Sequence, residues 1–213
     1  MSDIVQDSSK PTFLYWKLAA RAQTPMLMLH AAKIPYQWDE NVPKNWPQDK
    51  DNMPFGQLPV LKHGDLQIAQ SGTITRYCAN LSTLYPEDLK QQLQSDMLIE
   101  HSNDIYNLMV KAKYSGNDDQ QKYQWHVFKS DKLPDKLKWL EKMLGTNNFF
   151  CSDKVTAGDV AVFSVLNLVL SAGHSEFFDK FKSLKEHYDR VSKFGTIPEY
   201  LAQGIKPYFV IPQ

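Results

Sequence analysis

Residues 53–81, MPFGQLPVLKHGDLQIAQSGTITRYCANL, constrain the fold more than any other stretch of the chain. Met53-Pro54-Phe55-Gly56-Gln57 is a loop punctuated by Pro and Gly. Residues 58–62 and 66–69 are short apolar runs of strand type, and His63-Gly64-Asp65 between them predicts a tight hairpin turn. Gln70-Ser71 then opens a helix, because Ile74, Tyr77, Cys78 and Leu81 recur at helical spacing. Ser71 is expected to cap it, its hydroxyl accepting a free first-turn N–H. Pro59 opens a strand where it cannot donate to a ladder, and a cis bond there would turn the Leu58 backbone outward toward an extended ligand. The start of the following helix offers unpaired N–H groups and a positive dipole end, a seat for a carboxylate at Gln70 and Ser71.

Upstream, residues 13–16 (FLYW) read as a buried strand, 22–33 as a helix with Pro25 in its first turn, and 34–38 as a second strand. Residues 41–52 are irregular, and 1–11 a polar, loose tail. The resulting β-α-β, β-β-α order predicts helices over a small mixed sheet. After a linker at 84–88 the strand grammar stops. Residues 89–113 form a long amphipathic helix with apolar positions at Leu93, Met97, Leu98, Ile105, Leu108 and Met109. Residues 115–124 are polar, either loop or the wet first turns of a helix. Helix returns over 125–144, with Leu133, Leu137, Leu140 and Leu144 as its stripe and Gly145 as its stop. Thr156 and Asp159 have capping-box spacing, and Val155 and Val160 can close as a staple before the apolar run 160–170. Gly158 between them is expected to weaken that helix. Further helices are read at 177–191 and 197–202, and the tail 205–210 is apolar enough to fold back onto the body.

Composition narrows the function classes. The 213 residues support one large domain or two modest ones, and 42% hydrophobic residues argue for a packed core. Lys+Arg and Asp+Glu balance at 24 each, so no global field favours nucleic acid or an anionic membrane. No apolar run reaches membrane-spanning length and no secretory signal is visible, so a cytoplasmic, soluble protein is expected. The two cysteines, Cys78 and Cys151, form no C-x-x-C pair, and the six histidines have no metal-ligand spacing, so no metal site is expected.

The order FGQLPVL, G-D turn, QS at a helix start closely resembles the glutathione-binding half of cytosolic glutathione S-transferases. Among their classes it is most similar to sigma, which includes haematopoietic prostaglandin D synthase. The likeness extends over nearly the whole chain from Pro11, and the capping box at 156–159 resembles the one opening that family's core helix. It implies a thioredoxin-like α/β domain over 12–86, followed by an all-helical domain over 87–213 that supplies an electrophile pocket. It also implies a cytoplasmic homodimer that conjugates the thiolate of glutathione, its co-substrate, to small hydrophobic electrophiles in detoxification.

By that resemblance, Tyr15 in FLYWKLAARAQ is the catalytic hydroxyl donor to the sulfur, and Arg21 lies near it. Trp46 and Lys50 match the residues that hold the glycine end. Gln57, Leu58 and Pro59 match the cysteinyl contacts, and Gln70 and Ser71 the γ-glutamyl seat. Asp104 matches an acid that reaches the neighbouring subunit's glutathione, and Phe55 the aromatic key of related classes. Trp16, Leu18, Tyr106, Lys111 and Tyr208 are placed to wall the electrophile pocket. No cysteine lies near the first strand, which disfavours a thiol mechanism, and the zeta-class serine motif is missing. Two alternatives stay open on this reading: glutathione-dependent prostaglandin D isomerisation, and a non-catalytic crystallin-like or ligand-carrying protein on the same fold.

Overall fold

The structure, a computed structural model, describes residues 10–210. Of the loose tail expected over 1–11, only Lys10 and Pro11 are therefore described; Pro11 is buried and its carbonyl accepts the Gln37 N–H at 2.8 Å. Strand β1 is Thr12–Leu14, followed by a two-residue strand β2, Leu18–Ala19. Helix α1 is Gln23–Ala31 and strand β3 Gln37–Asp39. The stretch read as irregular contains a short helix α2, Asn41–Lys44, and a 3-10 turn, Gln48–Asn52. The hairpin follows as β4, Val60–His63, and β5, Leu66–Ala69, then helix α3, Ser71–Asn80. Gly64 turns the hairpin at φ +56°, which a glycine adopts without a Cβ clash.

The four-stranded sheet has the order β3-β1-β4-β5, with β1 parallel to β3 and antiparallel to β4. Strand alternation splits its side chains between two faces. Phe13 and its partner Leu61 enter the core with Met26, Leu29 and Ile74 of α1 and α3. Leu14 and Val60 point the other way, into a smaller cluster with Met53, Val42 and Trp46. The thioredoxin-like arrangement is thus present, and the elements beyond residue 88 are helical apart from one two-residue strand.

Helix α4 spans Leu89–Lys113, as its periodicity predicts. Helix α5, Asp118–Val127, is opened by an Asn117/Gln120 capping box, so the polar stretch 115–124 is a short turn followed by a helix's wet start. It runs through a π turn, Phe128–Lys132, into α6, Leu133–Leu144, whose four leucines are buried and whose end is Gly145 at φ +58°. Helix α7 is Ala157–Ser171, α8 Lys182–Val191 and α9 Ile197–Ala202. The tail folds back as β6, Lys206–Pro207, which pairs in parallel with β2; neither strand was legible, because two residues carry no periodicity.

Two expectations about α4 and α7 need correction. Leu93 and Met97 do not face the core. They are exposed, and the helix buries Ser95, Ile99 and Ser102 beside the expected Leu98, Ile105 and Met109. Small residues on that face let α4 approach α7 closely. Gly158 is not merely a weak helix former, for a Cβ there would stand 2.7 Å from Leu98 Cδ1 and 3.1 Å from Ser95 Cα. Its N–H donates to Ser95 Oγ at 2.7 Å, so the serine takes a first-turn donor of α7. The Thr156/Asp159 capping box forms as expected.

Gly158→Ala is therefore expected to destabilise the protein by about 1–3 kcal/mol through overpacking, although alanine favours helix by about 1 kcal/mol in an open position. Urea unfolding at fixed protein concentration measures this; a variant as stable as the parent would show that the α4–α7 contact yields at no cost.

Candidate active site

The site is built where β1 ends. Tyr15 follows the last residue of β1 and is buried against the α1 core. Its backbone carbonyl accepts the Trp38 Nε1–H at 2.8 Å, which fixes the strand exit against β3. Its ring meets Trp16 edge-on at 5.4 Å between centroids, and Trp16 meets Trp46 at 6.0 Å. Three aromatic residues thus line one side of the strand exit.

The Tyr15 hydroxyl faces the Arg21 backbone N–H, as does the hydroxyl of Tyr106 on α4. Burial pushes the Tyr15 phenol far above its ordinary value of 10.0, with Tyr106 adding to the rise. The Arg21 charge and N–H oppose that shift without cancelling it. Tyr106 is raised as well, again by burial first. Tyr15 therefore keeps its proton near neutral pH and is a hydrogen-bond donor to whatever sits against it. The Arg21 guanidinium lies 4.5 Å from the centre of the Tyr106 ring and donates to Asn107 Oδ1 at 3.1 Å.

At the same edge of the sheet, where Leu14 pairs with Val60 and Val60 with Ala69, the loop before β4 and the start of α3 present polar groups to solvent. Trp46 is half-buried over Leu14, Met53 and Val60. Lys50 is exposed, its stem lying over Gly56, where a Cβ would be 3.2 Å from Lys50 Cγ and Cε. Gln57 is exposed and extended, and the Leu58–Pro59 bond is cis with Pro59 buried. Neither the N–H nor the C=O of Leu58 is hydrogen-bonded to another described residue.

Ser71 does not cap α3. Gln70 holds the N-cap position at φ +67°, ψ 116°, without a side-chain cap bond, and Ser71 is the first residue inside the helix. A capping side chain needs the extended backbone of the residue before the helix, and here that residue is a glutamine in a conformation L-residues rarely adopt. The Ser71 carbonyl accepts from Thr75 Oγ1 at 2.8 Å. The first N–H groups of α3 consequently have no side-chain cap and stay available beside the exposed Gln70.

The comparison with known proteins bears on both halves of this arrangement. Residues 11–80 match the family model of the glutathione S-transferase N-terminal domain, and residues 103–204 that of the glutathione S-transferase C-terminal domain. A glutathione S-transferase of Dirofilaria immitis is 30% identical over 194 residues, covering 89% of this chain and 90% of that protein. The chain belongs to the glutathione S-transferase family. Glutathione is that family's co-substrate, and the fold expected from the resemblance is the one found. A haematopoietic prostaglandin D synthase of Gallus gallus is 27% identical over 192 residues, covering 90% and 95% of the two chains. The solved structure of the Onchocerca volvulus Pi-class glutathione S-transferase superimposes with a TM-score of 0.82 at 26% identity, over 92% of this chain and 94% of that one.

For a transferase of this family the remaining candidate residues fall into place unevenly. Tyr106 is buried with its ring 5.4 Å from Phe209, and Tyr208 is half-buried with its hydroxyl hydrogen-bonded to that of Tyr114. Lys113 Nζ lies 4.6 Å from the Tyr208 ring, and the Tyr208 N–H donates to the Ala19 carbonyl at 3.2 Å. The tail thus closes over α4 beside Leu18, which is half-buried in β2. Trp16 is exposed at the other side. Lys111 is exposed and takes no part in these contacts. Asp104 is exposed and pairs with Lys136 Nζ at 2.8 Å.

Tyr114 was not singled out from the sequence, because a tyrosine at a helix end beside Ser-Gly carries no local signal. The same holds for Gln23 and Thr24, whose side chains bond Ser164 of α7 at 2.8 Å and hold α1 in place. The thiols offer no rival nucleophile. Burial raises Cys78 strongly and pushes Cys151 up to about 11, and both cysteines are buried.

Proposed function

We propose that this chain is a sigma-like, homodimeric glutathione transferase in which the Tyr15 hydroxyl donates a hydrogen bond to the sulfur of glutathione. The observation that carries the reading is a buried phenol at the end of β1, on the sheet edge that also carries the uncapped start of α3. A free thiol has a pKa of about 8.5, so it is mostly protonated at neutral pH; a hydrogen bond donated to the sulfur favours the thiolate. Arg21 packs over Tyr106 and keeps the loop that carries its own N–H against both hydroxyls. The free N–H and C=O of Leu58, set by Pro59, suit the cysteinyl peptide unit, with Gln57 beside them. Gln70 and Ser71 seat the γ-glutamyl carboxylate on the start of α3, and the strained backbone of Gln70 fits a position set by binding. Trp46 and Lys50 hold the glycine end. The electrophile stands against Trp16, Leu18, Tyr106 and Tyr208, with Lys111 at the mouth.

Tyr15→Phe keeps the ring and its packing and removes only the donor. A hydrogen bond to a charged group is worth about 1.5–3 kcal/mol, so conjugation of a hydrophobic electrophile at neutral pH should fall by roughly ten- to hundred-fold. Glutathione affinity should change little, because its two ends are held elsewhere. Single-turnover rates with an unchanged Tyr15→Phe variant would remove Tyr15 from the chemistry.

The homodimer is supported by the face of α4 that the core does not use. Leu89, Leu93 and Met97 are 66%, 56% and 57% exposed at successive helical turns, and Asp104 continues the same face seven residues on. Phe55, 77% exposed at φ +57°, presents an aromatic ring from the loop before β4. Two-fold symmetry would bury these apolar side chains against their copies and aim Asp104 at the partner's glutathione. Leu93→Lys, which puts a charge on both sides of that contact, should shift sedimentation from the dimer expected of the parent to monomer and weaken glutathione binding. A parent protein that sediments as a monomer, or an Asp104→Asn variant with unchanged affinity, contradicts this arrangement.

A further inference from the structure

One turn of α4 grips the Arg21 side chain twice. Tyr106 lays its ring 4.5 Å from the guanidinium, and the next residue, Asn107, accepts from Arg21 Nη2 at 3.1 Å. The two contacts do different things. A ring face attracts a cation and sets its distance, but leaves it free to turn over the ring. A hydrogen bond is directional and removes that freedom. Arginine has donors and no acceptor, so the Asn107 amide presents its oxygen.

The backbone beneath this side chain is already fixed. The Gln23 N–H donates to the Ala20 carbonyl at 2.9 Å, and the Gln23 and Thr24 side chains bond Ser164 of α7 at 2.8 Å. What Asn107 controls is therefore the guanidinium itself.

The chemistry of the partner matters as much as its place. The chain's other two arginines are held by carboxylates: Arg76 by Asp96 and Glu100, both at 2.8 Å, and Arg190 by Glu186 at 3.3 Å. Among the described residues Arg21 has no such partner. Asp104, three residues before Asn107 on α4, is engaged by Lys136 Nζ at 2.8 Å. A neutral amide thus orients the Arg21 guanidinium and leaves its charge to act on the phenols of Tyr15 and Tyr106. The other titratable group acting on both phenols is Tyr114, at the end of α4.

We propose that Asn107 is a positioning residue for the transferase reaction, its amide oxygen holding the Arg21 guanidinium, unmatched by any acid, where its charge favours the thiolate. This rests on the reading that the glutathione sulfur sits against the Tyr15 hydroxyl. Asparagine and aspartate have nearly the same shape, so Asn107→Asp keeps an acceptor for Arg21 and cancels its charge. Asn107→Leu keeps the volume and removes the acceptor. Both changes fall at an exposed helix position, so the fold should survive them.

The test measures the pKa of the bound glutathione thiol by thiolate absorbance, and the pH dependence of single-turnover conjugation, at low and high salt. Asn107→Asp should raise the bound thiol pKa by roughly half a unit to one unit at low salt. Conjugation at pH values below the thiol pKa should fall by about three- to ten-fold and recover as pH rises. High salt should shrink the shift, because a charge at an exposed position is screened. Asn107→Leu should give a smaller rise that salt does not change. An Asn107→Asp thiol pKa equal to the parent's, a shift indifferent to salt, or an Asn107→Leu profile identical to the parent's would each overturn the proposal. Tyr15→Phe in the same series separates the two readings. If it leaves the thiol pKa unmoved, the placement of the sulfur fails; if it raises the pKa and Asn107→Asp does not, only the role of Asn107 fails.

Discussion

The fold depends on one buried carboxylate. Asp159, fully buried in the first turn of α7, accepts the Thr156 N–H at 2.8 Å and hydroxyl at 2.7 Å on one oxygen. Its other oxygen accepts the Phe150 N–H and His187 Nε2, both at 2.9 Å. A charge so far from water persists only when its lone pairs are met. Here they are met by the helix's own N-cap, by the loop before it, and by α8. That network orients α7, and α7 in turn receives α1 through Gln23, Thr24 and Ser164, and α4 through Gly158 and Ser95. Helix α1 follows the Tyr15–Arg21 segment and α4 carries Tyr106. The two hydroxyls that define the candidate site are therefore held by segments that pack on a single helix.

Much of this was legible in the residues, for identifiable reasons. The hairpin at 60–69 is written in β-type runs and a Gly-Asp turn, and α4 and α6 in long apolar periods, where local preference and burial agree. The capping box at Thr156 and Asp159 needs two residues at one spacing and nothing from elsewhere. The reading failed where burial is set by a distant partner. Leu93 and Met97 have the same local pattern as Leu98, and only the placement of α7 decides which of them is covered. Gly158 looked like a defect in a helix because its reason is Ser95, 63 residues away. Ser71 has the right chemistry for a cap, yet the helix begins one residue earlier than that chemistry predicts. Strands β2 and β6 are two residues each and exist only because they find each other.

The site shows the same division. Gln70 and Ser71 lie at a helix start that local grammar marks, whereas Tyr15, Trp46, Lys50 and Asp104 are proposed through family likeness. Tyr114 and the hydroxyl pairing with Tyr208 come from opposite ends of the helical half, and no local pattern joins them. The upward shift of the Tyr15 phenol is likewise a product of three-dimensional packing. It follows from burial among α1 and α4 rather than from any neighbour in sequence.

The central proposal is electrostatic: a phenol that keeps its proton donates a hydrogen bond to the sulfur and so favours the thiolate. Its most direct measurement is the pKa of the glutathione thiol in the bound state, followed by thiolate absorbance in the ultraviolet for the parent protein and for Tyr15→Phe. The account predicts a bound thiol lowered below the solution value of about 8.5 in the parent, and a value roughly one to two units higher in the variant. Identical thiol pKa values in the two proteins would contradict it.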